Sequence, residues 1–271
     1  MNKKRVLIVT HEMKPYNIAT EIATIANQLP VKVQQQGMEV RVLMPRFGTI
    51  NERRHRLHEV VRLSGMNIII DDDDNPLIIK VASLPGARLQ VYYLDNEDYF
   101  KRKHVFEDET GKFYDDNHER MVFFCKGVME TVKKFGWPPD IIHCFGWMSS
   151  LIPLYLRTAY KKEPVFGNAK MIYSIAENTF GGTLDKMFQR KALINKDAVK
   201  ESEFAPYKKG NNSALLIGAA TYSDAIILDS KKADTSVKNA IKKMQKKKML
   251  EHNSETYLTS YLEFYQSLMK K

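Results

Sequence analysis

The chain has 271 residues, of which 44% are hydrophobic and 27% charged, so it can bury a full core in one large α/β domain or two small ones. Its 42 lysines and arginines outnumber its 32 aspartates and glutamates, and this formal net charge of +10 raises the question of a polyanionic partner. No stretch is long and apolar enough to cross a bilayer and no signal sequence is recognisable, so we expect a cytoplasmic protein whose two cysteines, Cys125 and Cys144, are buried and reduced.

The first elements predict a strand, a helix and a second strand. Residues 5–10 form a short β-branched run typical of a buried strand. Five apolar side chains then fall on one helical face: Ile22, Ile25, Ala26, Leu29 and Val33. Gly37 ends this helix, and residues 40–44 form the next strand, which stops at Pro45. Such a β–α–β unit begins a right-handed parallel sheet, so we expect a Rossmann-like, doubly wound and mainly parallel α/β fold.

Residues 46–100 interrupt this alternation. Short extended runs lie there at residues 57–63, 66–70, 77–82 and 89–94. The sequence DDDDNP at 71–76 has strong turn chemistry between two of them. We therefore predict an antiparallel hairpin extension of the sheet. The aspartates are placed in a solvated turn, because they lack the ligand spacing of a calcium-binding EF-hand loop.

Helices and strands alternate again from residue 116 onward. Asp116 followed by Glu119 predicts a capping box for the first of these helices. The remaining predicted elements are a buried strand at 140–144, a helix at 147–160, a strand at 169–175, a polar and irregular stretch reaching residue 212, a helix at 214–222, a strand at 224–228 and a basic helix at 233–247.

The end of the chain carries most of the net charge. Residues 231–271 hold ten lysines against four acidic residues, and we treat them as a basic helical tail that packs on a Rossmann-like domain formed by residues 1–230. The lysine run at 242–248 is interpreted as the solvated face of a helix. Because no aromatic residues interleave with it to stack on bases, the pattern does not favour a nucleic-acid or membrane partner.

The last predicted helix, at 255–269, presents a tyrosine-rich stripe. Its members are Tyr257, Leu258, Tyr261, Leu262, Tyr265 and Leu268. A stripe of this kind favours a core face or a latch within the chain, and a dimer face, which would make the protein a homo-oligomer, is the alternative.

An ordered set of motifs spans residues 4–230. Its members are Glu12, Pro15 and Tyr16, Leu29-Pro30, the step MPRFG at 44–48, Asp115-Asp116-Asn117 before Glu119-Arg120, DIIHC at 140–144, Trp147 and LIPLYL at 151–156. In this order and spacing the chain resembles the N-terminal half of bacterial glycogen synthases and plant starch synthases. The resemblance implies the GT-B fold of two Rossmann domains and retaining transfer of glucose from an activated donor to an α-glucan.

The chain departs from the family pattern where the chemistry is expected. The departures fall on Ile18, Thr20, Glu21, Phe145, Gly146, Ala176 and Glu177. Ile18 replaces the lysine that contacts phosphate, and Glu21 replaces a glycine that lets the backbone approach it. In the family a second Rossmann domain supplies most donor contacts, whereas 41 residues follow residue 230 here. These differences predict that the isolated chain has no synthase activity.

We assign no catalytic residue, but nine residues are candidates for binding a sugar or glucan. They are Glu12, Tyr16, Arg46, Asp116, Asn117, Arg120, His143, Trp147 and Glu177. Each has a structural alternative: Asp116 as a helix cap, His143 as a satisfied core histidine and Trp147 as a packed side chain. No GxGxxG follows the first strand, and His55 and His58 lack a third ligand, so we expect no cofactor or metal.

Three functions remain open at this point. The first is a protein of α-glucan metabolism that binds sugar or glucan without transferring glucose. The second is a glucosyltransferase that uses ADP-glucose or UDP-glucose and acts only with a partner polypeptide supplying the donor domain. The third is a regulatory or interaction subunit that uses the lysine-rich tail or the tyrosine stripe.

Overall fold

A mixed β-sheet organises the computed structural model, which describes residues 3–177, 179–194 and 198–270. Its strands are β1 Arg5–Val9, β2 Glu39–Pro45, β3 His58–Glu59, β4 Met66–Ile70, β5 Asp73–Ser83, β6 Gln90–Asp95, β7 Ile141–Phe145, β8 Lys170–Ile175, β9 Ala225–Leu228 and β10 Lys248–Glu251. The order across the sheet is β10-β9-β8-β7-β1-β2-β6-β5-β3, and β4 pairs with β5.

The sheet is parallel from β10 to β6, which confirms the predicted mainly parallel α/β fold. Strands β1 and β7, at its centre, are almost entirely buried, as expected for strands covered on both faces. The carboxyl ends of these parallel strands all meet at one edge. The strand order turns back at β1, between β2 and β7, and such a reversal is where open α/β sheets form a crevice.

Helices cover the sheet between its strands. They are α1 Glu21–Gln35, α2 Glu52–His55, α3 Glu97–Phe100, α4 Asn117–Phe135, α5 Ile152–Arg157, α6 Phe188–Ala192, α7 Asn212–Tyr222, α8 Thr235–Lys242 and α9 Tyr257–Met269. The hydroxyl of Thr20 caps α1 by accepting a hydrogen bond from the Ala23 N–H at 3.0 Å. None of the helices in the described parts of the chain is both long and apolar enough to cross a membrane.

The antiparallel extension is present, and one detail of its prediction is wrong. The run at 89–94 corresponds to β6, which pairs antiparallel with β5 and also lies parallel to β2, so it joins the extension to the parallel part of the sheet. The turn at 71–76 is shorter than expected, because β5 begins at Asp73 and pairs with β4 from Asp73 opposite Ile70 onward. Only Asp71 and Asp72 remain in the turn, and Asp71 has a positive φ of 57°.

The predicted helix at 147–160 is broken into two pieces. A 3-10 helix covers Trp147–Ser149, and α5 starts three residues later with Pro153 in its first turn. The Ser149 hydroxyl donates to the carbonyls of Phe145 and Gly146, so local side-chain bonds compete with a regular helix at this step. The stretch predicted as irregular likewise contains α6 and a 3-10 helix at Glu201–Tyr207.

The tail adds a strand to the sheet, which corrects the prediction of a basic helix at 233–247. Helix α8 ends at Lys242, and the lysine run leads into β10, which pairs with β9. Lys247 does not face solvent as one side of a helix, because its ammonium donates to the carbonyls of Thr221 and Ser223 at the end of α7. Cations stabilise helix carboxyl ends in this way.

The tyrosine stripe of α9 is buried within the chain, as the latch interpretation predicts. Tyr257, Tyr261 and Tyr265 are at most 8% exposed. The Tyr257 hydroxyl donates to Gln28 Oε1 of α1 at 2.6 Å, and Tyr265 lies against β7. Cys125 and Cys144 are buried free thiols, as expected.

Candidate functional site

A small cavity lies where the carboxyl ends of β7, β8 and β9 face the start of α1. Its free volume is about 20 Å³. The polar groups that line it are Glu21, Ser174, Glu177, Asp229, Lys232 and His252. A cavity of this size has room for about one water molecule or ion. The chain has therefore filled most of the crevice with its own side chains.

The Glu21 carboxylate is the centre of this polar group. It is the first residue of α1, where the unpaired N–H groups of a helix favour a negative charge. Lys232 Nζ lies 2.5 Å from one of its oxygens and the Ser254 hydroxyl 2.5 Å from the other. These hydrogen bonds, that of Lys232 first, lower the pKa of Glu21 to about 2. Glu21 therefore stays ionised across the physiological range.

His252 joins Glu21 to the tail. Its Nε2 atom is 3.2 Å from Glu21 Oε1, and its Nδ1 atom is 2.9 Å from the hydroxyl of Tyr261. Asp229 follows β9, and its Oδ1 accepts long hydrogen bonds from the N–H groups of Lys231 and Lys232. Groups that are more than 200 residues apart in sequence thus converge on the start of α1.

His143 lies in β7 and has both ring nitrogens occupied. Nδ1 is 2.5 Å from the Tyr265 hydroxyl, and Nε2 is 2.7 Å from the Ser174 hydroxyl. Complete burial lowers the pKa of His143 to about 3, so the ring is neutral at physiological pH. This environment is that of a satisfied core histidine that anchors α9 to the sheet.

We expect His143 to weaken the fold as the solution is acidified. Its folded-state pKa of about 3 lies below the value of about 6.5 for a histidine in an unfolded chain. Below pH 6.5 the unfolded state therefore binds the proton first, and the free energy of unfolding falls. From pH 8 to pH 5 the loss is about 2 kcal/mol. Urea unfolding at both pH values measures it.

The matched variant is His143→Gln, which keeps hydrogen-bonding groups but has no titrating group. Between pH 8 and pH 5 its free energy of unfolding should fall by about 2 kcal/mol less than that of the parent chain. An equal pH dependence in the variant and the parent chain would contradict the assignment to His143.

An aromatic cluster occupies the neighbouring part of the edge, beyond β1 and β7. Trp147 is 1% exposed and packs on Phe106, Phe113 and Phe180 at ring-centroid distances of 5.0, 6.0 and 5.0 Å. The rings of Phe113 and Phe180 are half-buried and stack on each other at 5.1 Å with an interplanar angle of 18°. Trp147 is therefore placed as a packed side chain beneath this partly exposed pair.

Glu12 and Tyr16 follow β1 and are both buried. The Glu12 carboxylate accepts a hydrogen bond from the Thr20 hydroxyl and lies 3.4 Å from His11 Nε2. Tyr16 makes edge-to-face contacts with Tyr93 and His55. These contacts shape the loop between β1 and α1 and leave Glu12 2% and Tyr16 4% exposed.

The start of α4 is held by the side chains of Asp116, Asn117 and Arg120. These side chains contact neighbouring parts of the chain and do not face an open pocket. The predicted capping box is wrong, because Asp116 makes no capping hydrogen bond and instead forms a bidentate ion pair with Arg102 at 2.8 and 2.5 Å. Asn117 donates to the Phe106 carbonyl and accepts from Arg120. The Arg120 side chain is completely buried, and burial lowers its pKa to about 10.

Arg46 is committed to a charge network at the ends of β2 and β6. Its Nε atom lies 3.0 Å from both Glu52 Oε1 and Asp95 Oδ2, and Lys80 Nζ contacts the same two oxygens at 2.7 and 2.9 Å. Glu177 is exposed at the end of β8 and lines the cavity. Of the nine sequence candidates, it is the one that lines the cavity beside Glu21.

Sequence reasoning missed Lys232, His252 and Ser254 as members of the site. The only signal for this group was Glu21 itself, an acidic residue at the position where the family pattern has a glycine. Its partners lie in the tail, and the predicted helix at 233–247 gave no reason to place residue 252 beside residue 21.

The family model and the sequence relatives agree on one family. The model of the starch synthase catalytic domain matches residues 5–252. A glycogen synthase from Chlorobium limicola is 36% identical over 229 residues, which are 84% of this chain and 46% of that protein. One from Chlorobium chlorochromatii is 42% identical over 188 residues, 69% of this chain and 38% of that protein. The chain thus spans less than half the length of these relatives.

A solved structure agrees with the fold. The catalytic domain of Starch Synthase IV from Arabidopsis thaliana, bound to ADP and acarbose, superposes with a TM-score of 0.72 at 16% identity. The match covers 94% of this chain and 52% of that one.

Proposed function

The chain belongs to the starch synthase catalytic domain family, and we propose that it is a glycogen-synthase-like protein that binds α-glucan without transferring glucose by itself. The observation that carries the proposal is the Glu21 carboxylate at the start of α1, held by Lys232, His252 and Ser254. The chain's own side chains therefore occupy the start of α1.

Charge at the start of α1 argues against a nucleotide sugar. The N-terminus of a helix attracts anions such as phosphate. Here a carboxylate of the chain already takes that role, and Glu177 adds a second negative group at the same cavity. A pyrophosphate would meet both carboxylates, and Lys232 in the same cavity is already paired with Glu21. The lysine that neutralises the pyrophosphate in the family pattern is replaced by Ile18, which is 36% exposed.

The small free volume of the cavity also argues against a nucleotide-sugar site. The cavity beside Glu21 has about 20 Å³ of free volume. Pockets that hold small-molecule ligands typically enclose about 300–1,000 Å³. A donor sugar therefore has no preformed site there unless the tail segment that carries His252 and Ser254 moves away.

The stacked pair Phe113 and Phe180 supports glucan binding. Sugar rings present apolar C–H faces that pack on aromatic side chains, and this pair is half-exposed at the carboxyl edge of the sheet. The surface suits a neutral carbohydrate better than a phosphate, because Glu177 and Asp229 add negative charge to the adjacent cavity.

The donor assay tests the absence of transfer. The purified chain, incubated with ADP-glucose or UDP-glucose and glycogen, is expected to incorporate glucose at least 1,000-fold more slowly than the ~10 s⁻¹ of a typical enzyme. A full-length glycogen synthase assayed in parallel is the positive control. Turnover by the isolated chain near that typical rate would contradict the proposal.

Titration with maltoheptaose tests the binding surface. Phe113→Ala and Phe180→Ala should each weaken binding by about 3–10-fold, because one ring contact is worth about 0.5–1.5 kcal/mol. Val61→Ala is the matched control, since Val61 is 78% exposed and follows the edge strand β3. Equal affinities in all three variants would rule out the Phe113–Phe180 surface.

A second function is favoured by the relatives, which are named glycogen synthases. It is glucosyl transfer that takes place only when another polypeptide supplies the donor domain. Adding the C-terminal half of such a relative to the donor assay distinguishes the two functions, because turnover only in the mixture supports the partner-dependent enzyme.

A further inference from the structure

Three side chains at the start of α1 are arranged like the ligands of a metal ion. One ligand atom from each of Glu21, Asp229 and His252 lies within 4.8 Å of the other two. They come from the first residue of α1, the end of β9 and the end of β10. All three line the cavity of about 20 Å³, which is large enough for one ion or water.

We propose that this group binds a divalent transition-metal ion such as Zn²⁺, through His252 Nε2 and one carboxylate oxygen each of Glu21 and Asp229. Two ligands at about 2.1 Å from a tetrahedral zinc ion are about 3.4 Å apart. The distance between His252 Nε2 and Glu21 Oε1 is 3.2 Å. A water completes the set, because the Ser254 hydroxyl donates to Glu21 Oε1 at 2.5 Å and so lies closer to it than a second zinc ligand would.

The donor types select the class of ion. A neutral imidazole with carboxylates suits zinc and its first-row neighbours, whereas Mg²⁺ and Ca²⁺ prefer oxygen ligands alone. Tyr261 also supports the site, because its hydroxyl lies 2.9 Å from His252 Nδ1. A hydrogen bond on the far nitrogen of a histidine fixes the ring and its tautomer, as in known zinc sites.

Lys232 is the natural competitor of the ion. Its ammonium lies 2.5 Å from Glu21 Oε2, so a metal ion on Oε1 would stand close to a positive charge. Removing this charge should therefore tighten metal binding, the opposite of what a purely structural role of the cluster predicts. The bound ion would join α1, β9 and β10, which come from distant parts of the chain.

Zinc titration of the untagged chain, by calorimetry and by competition with a chromophoric chelator, tests the proposal. We expect one equivalent of Zn²⁺ per chain and no comparable binding of Mg²⁺. His252→Asn should weaken Zn²⁺ binding by at least about 100-fold, since even outer-shell changes cost about 10–100-fold. Lys232→Met should tighten it by about tenfold through loss of charge repulsion.

The control for adventitious zinc is His58→Asn, which alters an exposed histidine of β3 and should leave the affinity unchanged. Circular dichroism of each variant checks the fold, and if His252→Asn is unfolded the Lys232→Met result decides. Absence of stoichiometric binding, or an unchanged or weaker affinity in Lys232→Met, would overturn the proposal. The outcome is independent of glucan binding, because none of these residues belongs to the Phe113–Phe180 surface.

Discussion

Replacing Arg120 by methionine is expected to destabilise the fold by about 3–5 kcal/mol. The guanidinium donates to the carbonyls of Tyr99 and Val105, both at 2.7 Å, and to Asn117 Oδ1 at 2.5 Å. Methionine fills a similar volume but leaves these buried acceptors unpaired. Urea or thermal unfolding of the purified variant measures the loss.

Two controls separate this role from ligand binding. Arg88→Met changes an exposed arginine and should alter stability by no more than about 0.5 kcal/mol. Arg120→Lys keeps the charge but cannot span all three acceptors, so its loss should be intermediate. If Arg120→Met retained full stability and lost affinity for maltoheptaose, Arg120 would be a binding residue and the structural assignment would be wrong.

The parallel part of the sheet was predictable because its signals are local. A central strand such as β1 or β7 is buried on both faces and reads as an uninterrupted apolar run. The intervening helices, such as α1, show a 3.6-residue period and a glycine just past the end. The order of these elements then leaves few topologies open.

The antiparallel part of the sheet was harder to predict, because strand pairing there overrides the turn preference of the local composition. Four consecutive aspartates are typical of a turn, yet Asp73 and Asp74 lie in β5 opposite Ile70 and Ile69. Cross-strand hydrogen bonds and the burial of neighbouring residues such as Leu77 fix this register. The lysine run before β10 was misread in the same way, since an edge strand of four residues has too little pattern to outweigh a basic helical signal.

The candidate site was predictable only in its location. The carboxyl edge of the sheet follows from the topology, and Glu177 lines the cavity there. The pairing of Glu21 with Lys232 joins residues 211 positions apart, and no local pattern encodes such a contact. Arg46, Asn117 and Arg120 could not be ranked from the sequence for a related reason, because charged and amide side chains that bind ligands and those that hold buried loops have the same sequence signature.

Replacing Gly146 by alanine is expected to destabilise the fold by about 3 kcal/mol. Gly146 has φ 74° and ψ 160°, a region that is essentially restricted to glycine and costs other residues about 1–3 kcal/mol. A Cβ atom there would also lie 2.0 Å from Cε1 of His11, and relieving such a contact costs about 1–3 kcal/mol. Chemical unfolding of the variant measures the sum.

Two further variants separate the cost of the backbone conformation from the cost of the contact with His11. Gly86→Ala has a similar φ of 76° but no atom within 4 Å of its Cβ, so it should show the backbone cost alone. In the double variant His11→Ala/Gly146→Ala the contact cost should disappear, and equal losses in the presence and absence of His11 would contradict the packing argument. Any larger side chain at 146 would meet the same obstacle. The departure at this position is therefore coupled to the packing of His11, and a single substitution cannot reverse it.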